Sequence, residues 1–224
     1  MAVRTLRGIL ACCVLLGSSA AVGLAQQPKL FRINPQDPLD HKAVLALVRG
    51  LRGAGVDTTG VRLASTDQFN AFYMGNRLFV AGKPILQLPQ WAIDAVMAHE
   101  VGHLINRHVE QKTALQNGLV EGLQGLGMLL DRDHPDDGAA IGGTVGKTIA
   151  ALVIPKLSQR QELEADAYAV PVLRTERYTQ PGDVMRRMLA LLERNIGPNN
   201  GGFFDTHPTF EERISRPRQA DAAR

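Results

Sequence analysis

One helix sets the terms for the rest of this chain. Pro89 opens a predicted helix from about Gln90 to Gln111, in which Ala95, Val96, Met97, Val101, Leu104 and Ile105 are apolar. At about 100° per residue these spread over most of the circumference, so the helix is buried on most sides and the chain must wrap around it. His99, Glu100, His103, Asn106 and Arg107 nevertheless share one sector. Polar groups on a buried helix cost stability unless they are paired or bind something. Chemistry is expected at this wedge.

His99-Glu100-Val101-Gly102-His103 fits the pattern HExxH. Residues four apart lie just over one turn apart, so both imidazoles project from one face and can grip a single zinc ion at about 2.0–2.1 Å each. Glu100 follows the first ligand directly, beside the metal and not on it, where it can take a proton from water held there as that water attacks a peptide carbonyl. The competing reading is the solvated stripe of an ordinary amphipathic helix.

A catalytic zinc usually takes a third protein ligand and keeps one position open. Glu162-Leu163-Glu164-Ala165-Asp166, on a later predicted helix, offers candidates. Glu162 and Asp166 share a face, so one can ligate while the other hydrogen-bonds a ligand imidazole. Spacing alone does not choose between Glu162 and Glu164. An acidic helix face paired with Arg160 is the plainer alternative.

Around these segments the chain reads as one domain. Residues 1–25 have the form of an export signal: Arg4 and Arg7, an apolar run from Gly8 to Gly17, and small residues ending at Ala25. The run is too short to span a bilayer comfortably, so a cleaved signal is expected, with lipid attachment at Cys12 as the alternative. Cys12 and Cys13, the only cysteines, lie inside it, which leaves no thiolate site in the mature chain. Loss of Arg4 and Arg7 takes two from 25 basic residues against 22 acidic ones, so the net charge falls to +1 and the alkaline pI is no sign of nucleic-acid binding.

Residues 26–39 read as an extended leader containing Pro28, Pro35 and Pro38, and 40–216 as the catalytic domain, with 217–224 a tail. A helix is expected from about Asp40 to Arg52. Val61-Arg62-Leu63 is β-prone, and Asn70 to Tyr73 with Arg77 to Val80 form a hairpin across Gly75-Asn76. Residues 113–155 give two helical segments joined by a charged loop at 131–137. A helix from about Lys156 should kink or end at Pro171. Pro181 opens another, residues 196–204 are a glycine-rich loop, and a short helix is expected over 209–215.

Ala98 to His108 resembles the active-site helix of the CAAX prenyl protease/HtpX family of metallopeptidases. Ser158 to Asp166 is similar to that family's second motif, and Asn70-Ala71-Phe72 and Thr206-His207-Pro208 also match in order. The resemblance covers roughly Val61 to Arg216, and the signal-bearing form is most similar to the periplasmic BepA/LoiP-like branch. It implies an α+β, mostly helical zincin-like (gluzincin) fold with a small β-hairpin or sheet beside the active-site helix. It also implies one Zn2+ per chain on His99, His103 and Glu162, Glu100 as the base, and Asp166 as partner of a ligand imidazole. His207 would lie near the metal in a catalytic role, with Arg213 adding positive charge. Apart from the resemblance, the hairpin itself offers an edge strand over Asn70, Ala71, Phe72 and Tyr73, or at Leu78 to Val80, that can pair with an extended substrate main chain. His108, about 140° round the helix from His103, reads as a supporting or surface residue. His41 and His134 carry no assigned function.

The function expected is a zinc metalloendopeptidase acting on unfolded or misassembled proteins of the periplasm or cell envelope, with membrane-associated protein partners and no nucleic acid. The alternative is a zinc-bound, chaperone-like binding protein whose metal site is closed and regulatory. Glu100 separates the two, because a site that only binds needs ligands and no base.

Overall fold

The structure, a computed structural model, describes residues 29–131 and 138–196 together with Arg213. The signal 1–25, the loop residues 132–137, the glycine-rich loop from 197, His207, the expected last helix except Arg213, and the tail lie outside the described residues. In order the elements are β1 (Phe31–Arg32), α1 (Pro38–Gly53), β2 (Arg62–Thr66), β3 (Ala71–Tyr73), β4 (Leu78–Gly82), α2 (Lys83–Leu86), α3 (Gln90–Ile105), α4 (His108–Asp131), α5 (Gly138–Thr175) and α6 (Pro181–Ile196). The fold is α+β and mostly helical, as expected. Its described residues fall into two compact units, one from 111–131 and 138–154, the other from 29–110, 155–196 and Arg213. Every site residue discussed below belongs to the second.

Helix α1 starts two residues earlier than its apolar spacing indicates. Asp37 caps it, accepting the Leu39 N–H at 2.8 Å, and Pro38 takes the first turn, where its missing N–H costs nothing. Ala43, Ala46, Leu47 and Leu51 form its buried face.

The sheet has the order β1-β2-β4-β3. The hairpin forms as expected, with β3 antiparallel to β4 and Phe72 opposite Val80. Its turn carries three consecutive positive φ values, at Gly75, Asn76 and Arg77. The first two residue types tolerate that conformation well. Strand β4 then docks parallel to β2, with Leu63 opposite Phe79, which leaves β3 at one edge.

Helix α3 is buried without a break from Ala92 to Gly102. One side packs Ile93, Met97 and Val101 against Leu47 and Leu51 of α1 and Phe79 of β4. The other packs Ala95, Val96 and Ala98 against Ala169, Val172 and Leu173 of α5 and Met185, Met188 and Leu189 of α6. The all-round apolar pattern of this helix is satisfied by two cores, one on each flank.

Three expectations need correction. No new helix starts near Lys156, which lies inside α5. The helix predicted to reach Gln111 stops at Ile105: Asn106 ends it, Arg107 turns left-handed at φ 55°, and α4 begins at His108. Pro171 does not end α5, which runs on to Thr175. An interior proline costs about 3 kcal/mol, but Val172 and Leu173 beyond it are buried at 2% and 0% exposure. Burial of each such side chain is worth about 1.5–3 kcal/mol, so packing holds the last turn in place.

Candidate metal centre

Helix α3 carries His99, Glu100 and His103, and α5 carries Glu162 and Asp166. What lets these helices approach is Gly102. A Cβ at this position would stand 2.9 Å from the Ala165 carbonyl oxygen and 3.0 Å from its Cα. The second variable position of HExxH is thus a contact point, and it brings the imidazoles to the carboxylates of α5.

At that contact His99 Nε2 and His103 Nε2 are 3.0 Å apart. Glu162 lies 3.4 Å from His99 Nε2 through Oε2 and 3.3 Å from His103 Nε2 through Oε1. Ligands at 2.0–2.1 Å in tetrahedral array stand about 3.3–3.4 Å from one another, so the three groups already have the spacing of a zinc triad. Glu164, which sequence spacing left as an equal candidate, faces elsewhere. Its carboxylate lies 3.2 Å from His108 Nε2 and 2.7 Å from Arg160 Nε.

His99, Glu100 and His103 also present donor atoms within 4.8 Å of one another. Glu100, however, has one oxygen committed elsewhere: Oε2 accepts the main-chain N–H of Tyr73 at 2.7 Å. Burial first of all raises the Glu100 carboxyl above its usual range, against the pull of His103 and His99. A buried carboxylate of raised basicity, anchored by one oxygen, suits a base better than a ligand.

Behind His99, Asp166 Oδ1 lies 2.8 Å from Nδ1. Arg213 donates to both Asp166 oxygens, at 2.8 and 2.9 Å, and its Nη1 stands 3.2 Å from Glu162 Oε2. Burial alone would raise Asp166, but Arg213 and then His99 hold its carboxyl below the ordinary range. Burial would lower His99, yet Asp166 and Glu162 outweigh it and raise the imidazole to about 10. Among the described residues, three buried carboxylates (Glu100, Glu162 and Asp166) face one guanidinium, Arg213. This excess of carboxylates over guanidinium, together with the triad spacing, fits a divalent cation.

Asn70, Ala71 and Phe72 lie at the open edge of the sheet. The Asn70 carbonyl accepts the Gly82 N–H at 2.7 Å and Met74 N–H reaches Leu78 O at 2.9 Å. By the alternation of an antiparallel ladder, the main-chain groups of Ala71 and Tyr73 therefore point away from β4. Tyr73 spends its outward N–H on Glu100, so this edge faces the candidate site. Sequence reasoning did not find that link, because main-chain donors leave no mark on a sequence. His108 was placed too far round an unbroken helix; a C-terminal Asn106 was the weak signal that the helix ends.

A family model described as peptidase family M48 matches residues 41–220. The chain belongs to this family. It is 28% identical to Metalloprotease LoiP of Escherichia coli (strain K12) over 155 residues, which cover 69% of this chain and 59% of that one. The crystal structure of S. mikatae Ste24p is similar in fold, with a TM-score of 0.52 at 17% identity, over 84% of this chain and 50% of that chain. The chain thus spans between half and three fifths of the length of these two proteins. No helix among the described residues is long and apolar enough to cross a membrane.

Proposed function

We propose that this M48 member is a zinc-dependent endopeptidase that cleaves unfolded or misassembled proteins of the cell envelope. The observation that carries the reading is the His99, His103 and Glu162 triad at 3.0–3.4 Å mutual spacing, with Glu100 held beside it. These three residues would hold one zinc ion, which when bound supplies Lewis acidity to a water and a peptide carbonyl. The relative's description as a metalloprotease supports the same reading.

The protein's own groups divide the remaining work. The Ala71 edge takes an extended substrate main chain as an added strand, and main-chain pairing is largely indifferent to side chains. That tolerance suits unfolded substrates. Glu100, fixed through Oε2 by Tyr73, offers Oε1 to the proton of the attacking water and then returns it to the departing amine. Asp166 fixes the His99 ring, and Arg213 keeps Asp166 ionised while standing 3.2 Å from Glu162. A catalytic role for His207 is carried by its motif, Thr206-His207-Pro208, alone. Export to the periplasm or envelope, where membrane-associated proteins would be partners, rests on residues 1–25.

Digestion of unfolded casein by the purified protein, with and without a chelator, tests the proposal. Cleavage that stops with chelator and returns with zinc is expected. Cleavage untouched by thorough metal removal would refute it.

A further inference from the structure

The two imidazoles of the centre are supported differently. His99 has a carboxylate behind it, Asp166, tied to Arg213. Behind His103 stands a third imidazole: His103 Nδ1 and His108 Nδ1 are 2.9 Å apart, with the rings edge to face at 4.9 Å between centroids. An unbroken helix would hold His108 about 140° away. The left-handed turn at Arg107 removes that separation and swings the first residue of α4 back over the last turn of α3. His108 is 2% exposed, and Gln161 of α5 donates to its carbonyl at 3.2 Å.

We propose that His108 is the positioning residue for His103, fixing its ring and tautomer for metal binding; the inference rests on the zinc reading above. Proton placement follows from the chemistry. His103 Nε2 faces His99 and Glu162, so as a ligand it must present a lone pair there, and a neutral His103 then carries its proton on Nδ1. That N–H donates to His108 Nδ1, which must be bare. His108 accordingly carries its own proton on Nε2, and this donates to Glu164 at 3.2 Å. Arg160 donates to the other Glu164 oxygen at 2.7 Å. The reverse arrangement would protonate the nitrogen that faces the metal and turn a bare His108 nitrogen toward a carboxylate.

One arrangement of protons satisfies the whole row, from His103 through His108 and Glu164 to Arg160. A neutral imidazole in this role has a physical advantage over a carboxylate. The pocket already gathers three buried carboxylates around one guanidinium, and His108 orients His103 while keeping the next carboxylate one ring farther out.

Zinc affinity of the apo protein, measured by chelator competition, tests this without recourse to activity. His108→Leu fills the space without an acceptor and should weaken zinc binding about 10–100-fold, the usual cost of losing the partner of a ligand imidazole. His108→Asn places an amide oxygen near the Nδ1 position and should recover most of that loss. Leu at wild-type affinity, or Asn no better than Leu, would overturn the proposal. A wild-type protein that binds no zinc would instead overturn the zinc reading, and this inference with it. Should the variants not fold, zinc-loaded wild-type protein labelled with 15N decides: a scalar coupling between the Nδ1 atoms of His103 and His108 supports the hydrogen bond, and its absence rules the bond out.

Discussion

The main-chain N–H of Tyr73 donates to Glu100 Oε2 at 2.7 Å. One hydrogen bond therefore links the edge strand of the sheet to a buried carboxylate of α3. In the proposed enzyme the surface that holds substrate and the group that moves the proton are set in register by the same strand.

Replacing Glu100 by Gln should keep the shape and most of the Tyr73 contact while removing the base. The variant should bind zinc as the wild type does and lose about 10²–10⁴-fold in kcat, with KM little changed. Steady-state kinetics on a fluorogenic peptide, paired with metal content, checks both halves. Undiminished turnover would remove Glu100 from the mechanism.

Gly102 and Gly50 make a paired test of packing. A methyl at Gly102 meets the Ala165 main chain at 2.9–3.0 Å, whereas one at Gly50 of α1 finds Val101 Cγ2 at an ordinary 3.5 Å. Gly102→Ala should destabilise by about 1–3 kcal/mol through overpacking, and weaken zinc binding by pushing α3 from α5. Gly50→Ala should be neutral or stabilise by up to about 1 kcal/mol, because alanine is the better helix former. Urea denaturation of the two variants reads the difference in sign.

Asp166→Asn should lower zinc affinity about 10–100-fold, since a neutral amide is a weaker acceptor for His99 and leaves Arg213 without its closest charge. Chelator competition measures it. Wild-type affinity would show that Asp166 does not support the ligand.

Glu176 gives a pH signature away from the metal centre. Burial first, then the nearby Asp94, pushes its carboxyl up to about 8 from an ordinary 4.5, with Arg49 acting in the opposite sense. A carboxyl whose folded pKa is raised binds more protons folded than unfolded between those values. Its contribution to stability is therefore present at low pH and declines as pH rises from about 4.5 to about 8. Glu176→Gln should flatten that part of the profile, read as urea midpoints against pH. An unchanged slope would contradict it.

Much of this was legible in sequence because it is local. The all-round apolar pattern of residues 95–105 marked a helix buried on most sides, and the turn residues Gly75 and Asn76 marked the hairpin. Whatever depended on packing was not. Glu162 and Glu164 are two positions apart on one helix and so face nearly opposite ways. Spacing could not choose between them, the motif resemblance pointed to Glu162, and the contact of Gly102 with Ala165 is what turns Glu162 toward the imidazoles. The parallel docking of β4 on β2 joins segments with another strand between them, and no local pattern records it. Pro171 read as a kink or a stop, and the stop does not occur, because a sequence shows the missing N–H and not the burial of Val172 and Leu173. His108 was misplaced for a similar reason: a single left-handed residue, Arg107, redirects the chain.

The most direct test of the central claim is anomalous diffraction at the zinc edge from crystals of the purified protein. One peak per chain is expected, about 2 Å from His99 Nε2, His103 Nε2 and a Glu162 oxygen. No peak there, or a metal held by Glu164 in place of Glu162, would contradict it.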